Sequence, residues 1–214
     1  MMSEIFGNLA ENLIEGKIEA VVNLTKDALD RGIEAEEVLE KGLLAGMDVV
    51  GQRFKASEMF IPEVLRCAKA MNNAMEVLRP LLAESGTANT GTIVIGTVKG
   101  DLHDIGKNLV GMMFEGAGFK VIDLGIDVEA QTFIEAVKAH NPGIVGLSAL
   151  LTTTMPKMAE TIDAMKEAGL RDKVKIMIGG APVTEAFGKE IGADQYASNA
   201  AIAVDKGKEL LSRV

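Results

Sequence analysis

A change of hydrophobic period near residue 90 constrains this chain more than any other feature. From Met1 to about Ala83 the apolar residues recur every three or four positions, as at Leu39, Leu43, Leu44, Met47, Val50 and Phe54. That is the spacing of a buried helix face. It predicts helices near residues 4–15, 17–31, 35–54 and 62–79. Gly32 stands where a helix stop is expected, Pro62 where a first turn tolerates proline, and Pro80 where the last helix ends or kinks. A four-helix bundle over residues 1–85 is the economical reading. The stretch Glu84-Ser85-Gly86-Thr87-Ala88-Asn89-Thr90-Gly91 is small, polar and aperiodic, so residues 86–91 are assigned to a linker.

Beyond it, short β-rich runs alternate with amphipathic helical stretches. Strands are predicted at Thr92–Val98, Lys120–Leu124, Gly143–Ser148 and Val174–Ile178, with a weak one at Gln195–Ala197. Apolar runs without polar alternation fit strands covered on both faces, as parallel strands with crossover helices are. Residues 92–214 are therefore expected to form a flavodoxin-like, doubly wound five-stranded parallel sheet, which makes the whole chain α/β with a helical N-terminal domain.

Composition narrows the function. The 214 residues are 48% hydrophobic, enough for two cores, and the net charge of −9 disfavours a nucleic-acid partner. Cys67 is the single cysteine and the first twenty residues lack a basic segment followed by an apolar run, so a reducing, cytoplasmic setting is expected. No apolar stretch approaches the roughly 20 residues of a membrane span. The two histidines, His103 and His140, rule out a multi-histidine metal site.

In open α/β sheets ligands lie beyond the carboxyl ends of the strands. Here Gly100-Asp101-Leu102-His103-Asp104-Ile105-Gly106 follows the first strand, Ser148-Ala149-Leu150-Leu151-Thr152-Thr153-Thr154 the third, and Gly179-Gly180 the fourth. Asp101 and His103 are two apart on a loop, where a carboxylate can accept the ring N–H and so orient a metal-bound imidazole. A metal held by one protein ligand must bring the rest of its coordination sphere, as a macrocycle does. Gly106 admits a bulky group to the backbone, and Gly179 with Gly180 opens space without side chains. The competing reading of His103 is a hydrogen-bonded structural histidine.

Asp101-x-His103-x-x-Gly106, 41 intervening residues, Ser148-x-Leu150, 28 more and Gly179-Gly180 resemble the cobalamin-binding motif of corrinoid proteins and of methionine synthase. Met47-Asp48-Val49-Val50-Gly51-x-x-Phe54 and Met59-Phe60-Ile61-Pro62-Glu63-Val64 resemble the helical cap of the same family. The likeness is closest to the small stand-alone corrinoid proteins of methyltransferase systems in anaerobic methanogens and acetogens. It implies a cobalamin or related corrinoid bound base-off, with His103 as the lower axial ligand to cobalt. It further implies that Asp101 bonds His103 and that Thr154 continues the relay. The loop Gly100, Leu102, Asp104, Ile105 and Gly106 would meet the corrin, and Ser148, Leu150 and Thr152 would line the channel for the nucleotide tail. Gly179 and Gly180 would give the tail room, and Ala200 would close the base pocket. Phe54, Phe60, Ile61 and Val64 would cover the upper, methyl-bearing face, although periodicity alone reads them as bundle core.

The resemblance implies a carrier, non-catalytic alone, that accepts a methyl group on cobalt from a substrate-specific methyltransferase. A second methyltransferase would pass it to coenzyme M or tetrahydrofolate, and a reductive activator would rescue oxidised cobalt. The alternatives weighed are a cobalamin-dependent sensor or regulator, which the absence of tryptophan and the acidic charge oppose, a mutase small subunit, and a cofactor-free flavodoxin-like or receiver domain. Cys67 is expected as buried packing, His140 as a helix C-terminal charge or cap, and Glu34, Glu36, Glu37 and Glu40 as a solvated face.

Overall fold

A computed structural model describes residues 2–85 and 90–212. Residues 86–89, most of the expected linker, lie outside the described residues. The chain divides into two compact units, Met1–Asn89 with Glu115–Gly118, and Thr90–Phe114 with Phe119–Val214.

The first unit is helical. Helices α1 (Met2–Ile14) and α2 (Ile18–Asp30) are followed by one long run, α3 (Ala35–Glu37), a π-helical stretch (Val38–Leu44) and α4 (Ala45–Lys55), and then by α5 (Ile61–Ser85). The expected periodicity finds its cause in burial: Leu9, Leu13, Val21, Leu43, Val50, Met71 and Leu78 are fully buried. Each such side chain contributes roughly 1.5–3 kcal/mol of apolar transfer free energy. Two glycines set the approach of α1. A Cβ on Gly42 would lie 2.5 Å from Leu9 Cδ2, and one on Gly46 3.2 Å from the Ala10 backbone.

Two expectations are corrected here. Pro80 lies inside α5, which continues to Ser85 instead of ending at residue 79. The third helix is not a single α-helix, because Val38–Leu44 widens into π geometry, an irregularity that apolar spacing does not register.

The turn between α4 and α5 is closed from both sides. Ser57 takes φ 59°, and the amides of Ser57 and Glu58 bond the carbonyls of Phe54 and Arg53, which ends α4 as a Schellman-type stop. The Glu63 carboxylate then accepts the Phe60 amide at 2.8 Å, one half of a capping box, and makes Phe60 the residue that opens α5.

The second unit is a five-stranded parallel sheet in the order β2-β1-β3-β4-β5: β1 (Gly91–Thr97), β2 (Phe119–Asp123), β3 (Ile144–Ser148), β4 (Lys175–Gly179) and β5 (Gln195–Ala197). Every strand lies within one residue of its sequence-based bounds. Crossovers run through α6 (Ile105–Gly116), α7 (Ala130–His140), α8 (Pro156–Glu167) and α9 (Glu185–Ile191), and α10 (Ala200–Ser212) follows β5. Thr97 pairs with Ser148 and Ser148 with Gly179, so β1, β3 and β4 end level with one another. One face of the sheet packs Val94, Val145, Leu147, Ile176 and Ile178 against Phe133, Met158 and Ile162. At the end of α7, Asn141 supplies the cap in left-handed conformation, and His140 and Lys138 are the basic residues of the last turn.

Candidate functional site

In the strand order 2-1-3-4-5 the chain leaves β1 toward one edge and β3 toward the other, so a crevice opens between their carboxyl ends. The two loops that enter this crevice meet at one carboxylate. Asp101 is fully buried, and its Oδ1 accepts the His103 amide at 3.1 Å and lies 2.7 Å from the ring Nδ1. Its Oδ2 accepts the amides of Leu150 at 2.7 Å and Leu151 at 3.3 Å, and lies 2.7 Å from the Thr154 hydroxyl. That hydroxyl is also 2.9 Å from the Leu151 carbonyl, and its single proton serves one acceptor at a time.

Burial alone would push the Asp101 carboxyl up. The Thr154 hydroxyl, the Leu150 amide and the His103 ring and amide outweigh burial and hold it well below the ordinary carboxylate range. A permanent carboxylate against Nδ1 favours a proton on that nitrogen, which leaves Nε2 as the ring atom turned to any ligand. Among the described residues Nε2 has no hydrogen-bond partner, and the His103 side chain is half exposed.

The surroundings are apolar and open. Leu102 and Ile105 are 67% and 79% exposed, and Leu150 and Leu151 stand exposed across the crevice. A Cβ added to Gly106 would meet no protein atom within 4 Å, so nothing in the chain itself demands glycine there. Gly180 is different. At φ 132°, its Cβ would fall 1.9 Å from the Ala149 carbonyl oxygen, and one on Gly179 would fall 3.1 Å from the Ala197 carbonyl oxygen. The place of a Gly180 side chain is filled by the Ala149 backbone, so the fold itself requires glycine there whatever binds nearby, while Gly179 meets only a tight contact.

The remaining expected residues are placed as follows. Gly100 turns the loop at φ 82°, and Asp104, immediately before α6, accepts the Asn108 side chain at 3.1 Å. Ser148 ends β3 half-buried, while Thr152 is exposed. Ala200 is buried at the start of α10, capped by Asn199, whose Oδ1 accepts the Ile202 amide at 2.9 Å. In the helical unit Phe54 is half-buried, Phe60 is 70% exposed and Ile61 is exposed. Val64 is fully buried and offers no surface to a ligand, so of the four it takes the bundle-core reading.

Three positioning groups escaped sequence reasoning. The buried Thr97 hydroxyl donates to the His103 carbonyl at 2.9 Å. Lys107, on the first turn of α6 with only 3% of its side chain exposed, bonds Asn108 Oδ1 and pairs with Asp123 at the end of β2. Asp127, on the loop after β2, bonds the Gly100 amide. None belongs to a spaced motif, and only the turn-like Gly125-Ile126-Asp127 hinted at one of them.

The family described as B12 binding domain matches residues 91–205, and a second family of that description matches residues 5–79. The chain belongs to the B12-binding family. Its relatives include the dimethylamine corrinoid protein 1 of Methanosarcina acetivorans, 46% identical over 210 residues covering 94% of this chain and 99% of that one. The trimethylamine corrinoid protein of Methanosarcina barkeri is 44% identical over 98% of this chain and 97% of its own length. Among solved structures, a cobalamin-binding protein from Desulfitobacterium hafniense matches with TM-score 0.80 and 36% identity, covering 96% of this chain and 98% of that chain. The methanol:cobalamin methyltransferase complex of Methanosarcina barkeri matches with TM-score 0.87 and 30% identity, covering 99% of this chain and 81% of that chain. As a member of the B12-binding family, the protein takes a cobalamin or related corrinoid. Its residues fit such a group: an imidazole with a free Nε2 stands amid exposed aliphatic side chains, beside a glycine that leaves open space. Among the described residues no helix is long and apolar enough to cross a membrane.

Proposed function

We propose that this chain is a corrinoid methyl carrier in which His103 is the lower ligand to cobalt, with the cofactor bound base-off. The observation that carries this reading is the Asp101–His103 pair, which points the basic character of the ring to Nε2 while Leu102 and Ile105 stand exposed beside it. When bound, the corrinoid supplies a cobalt centre that can accept and surrender a methyl group. The protein's own residues bind, orient and shield. Asp101 keeps the Nδ1 proton and fixes the ring plane, and Thr154 with the Leu150 and Leu151 amides keeps Asp101 ionised and still. Leu102, Ile105 and Leu150 give apolar contact, and Gly106 leaves clearance. Ser148 and Thr152 line the path of the nucleotide tail, and Ala200 bounds its base. Phe54, Phe60 and Ile61 cover the upper face and exclude water from it.

A carrier needs a donor enzyme and an acceptor enzyme. The names of the dimethylamine and trimethylamine corrinoid relatives, and of the methanol:cobalamin methyltransferase complex, support a substrate-specific methyltransferase as the first partner. A second methyltransferase, delivering to coenzyme M or tetrahydrofolate, and a reductive activator complete the cycle.

The test labels the protein with 15N-histidine, loads it with cobalamin and records the cobalt(II) electron paramagnetic resonance spectrum. A nitrogen splitting that changes from triplet to doublet on labelling, and vanishes in His103→Ala, supports the reading. A triplet that persists with the label, as the cofactor's own base would give, overturns it.

A further inference from the structure

We infer that Asp127 is a positioning residue that sets the Asp101–His103 pair by holding the peptide of Gly100. The inference rests on the reading of His103 as the cobalt ligand.

Asp101 is anchored at two ends from two different loops. Its carboxylate is held from the loop after β3, by the Leu150 and Leu151 amides and the Thr154 hydroxyl. Its backbone is held within its own turn, where the Asp101 amide donates to the Val98 carbonyl at 3.1 Å, and from the loop after β2. There the Asp127 Oδ1 accepts the Gly100 amide at 2.7 Å, and the Asp127 amide donates to the Asp101 carbonyl at 3.0 Å. The two bonds bracket the Gly100–Asp101 link, and this link is the soft point of the loop. Gly100 sits at φ 82° with little around it, its Cβ position meeting only Thr154 Cγ2 at 3.7 Å. A glycine so placed turns freely unless something holds its N–H.

The conformation of Asp127 argues in the same direction. Its φ is 54°, a region that side-chain-bearing residues seldom enter and that Asp and Asn tolerate best. Glycine would occupy the position without strain, so the carboxylate has a use that outweighs the conformational cost. Lys99 steadies it, with Nζ 3.4 Å from Asp127 Oδ1 and 3.0 Å from Glu129 Oε1. Asp127 does not touch the imidazole; it acts through Gly100 and Asp101.

The experiment compares the full-length chain with Asp127→Gly, which keeps the backbone conformation and removes the acceptor, and Asp127→Asn, which keeps an acceptor oxygen and tolerates the same φ. The readout is the hydrogen-bonded Nδ1–H proton of His103 in 15N-edited nuclear magnetic resonance spectra of the cofactor-free chain, with the amide of Gly100 as a local reporter. The expected result is a slowly exchanging proton in the parent and in Asp127→Asn, and exchange at least about tenfold faster in Asp127→Gly, with the other amides unmoved. In the cobalamin-loaded Asp127→Gly chain a smaller share of cobalt(II) carries the histidine nitrogen splitting. Equal exchange in Asp127→Gly and parent overturns the inference, as do failure of Asp127→Asn to restore protection, a parent without the protected proton, or global loss of amide dispersion in Asp127→Gly. The proton is read without the metal. If the parent lacks a histidine splitting when loaded, the ligand reading fails and the exchange result still stands.

Discussion

The carbonyl oxygen of Ala149 occupies the place where Gly180 would carry a side chain, 1.9 Å from the ideal Cβ position. The obstruction is backbone just past the end of β3, the strand beside β4, so rotation of a flexible side chain cannot relieve it. Gly180→Ala is expected to cost roughly 2–4 kcal/mol, from the left-handed backbone and the displaced strand end together. At about 2–4 °C per kcal/mol for a chain of this size, thermal unfolding of the cofactor-free protein should fall by roughly 4–16 °C. A shift under 2 °C would show that the β3–β4 ends are looser than described.

Gly106→Ala should do the opposite to stability and harm to binding. The position is in α6 with open space around it, so alanine is expected to raise stability by about 0.5–1 kcal/mol. The same methyl group would stand where the corrin approaches, and cobalamin affinity should fall at least tenfold. Paired thermal unfolding and cobalamin titration check both signs at once. Unchanged affinity would place the corrin away from the α6 N-terminus.

Asp101 makes part of the stability pH-dependent. Its folded pKa is lowered, burial notwithstanding, by the bonds from Thr154, Leu150 and His103. The stabilisation is therefore present above the unfolded carboxyl value of about 3.9 and is lost as pH falls below it toward the folded value. Asp101→Asn mismatches at least one of these donors and is expected to lose roughly 1.5–3 kcal/mol at pH 7. Urea unfolding at pH 7 and at pH 3 should show the gap between parent and variant narrowing on acidification. A gap constant with pH would mean that the charge of Asp101 is not what the surrounding donors stabilise.

Phe60 and Val64, four residues apart, separate the two readings of the helical unit. Phe60 is 70% exposed and Val64 fully buried. Phe60→Ala should change stability by less than about 0.5 kcal/mol, whereas Val64→Ala should cost about 2 kcal/mol through the cavity it leaves. If Phe60 shields the upper face, its loss should speed photolysis of the bound methylated cofactor several-fold while Val64→Ala leaves the rate alone. Equal photolysis rates in Phe60→Ala and the parent would remove Phe60 from the cap.

Cys67 should behave as packing. Burial pushes its thiol up, and the Sγ lies 3.3 Å from the Ile14 carbonyl. An alkylating reagent at pH 8 is expected to leave the native chain unlabelled over hours and to label it within minutes in urea. Rapid native labelling would indicate local opening between α1 and α5.

Much of this was readable because it depends on side chains repeating at a fixed period. The strand Gly143–Ser148 announces itself as an apolar run and Lys120–Leu124 as a short β-rich one, and both lie within one residue of their place in the sheet. Asp101 and His103 stand out because a carboxylate and one of only two histidines fall two apart just past a strand end, whereas Thr154 enters only through the resemblance to corrinoid proteins. What stayed hidden depends on backbone geometry. Pro80 forfeits one hydrogen bond, and α5 continues past it on the packing of Met75, Leu78 and Leu82, whose joint weight no single-residue rule expresses. The π stretch at Val38–Leu44 keeps an apolar face and so leaves no mark on the spacing. The fold's own need for glycine at 180 is hidden as well, because sequence shows an absent side chain but not the carbonyl that faces it. Thr97 and Asp127 hold main-chain atoms, and main-chain partners have no signature in residue type.

The exposed Leu102, Ile105, Leu150 and Leu151 have a consequence for the life of the protein before it is loaded. Apolar surface of this kind is a liability in a newly made chain, a place for other chains to adhere. A ligand that covers it also favours the folded state by mass action, by about 2.7 kcal/mol at a hundred times its dissociation constant. Cofactor supply would then govern how much intact protein survives, so that a cell short of corrinoid keeps few empty carriers without needing any further control.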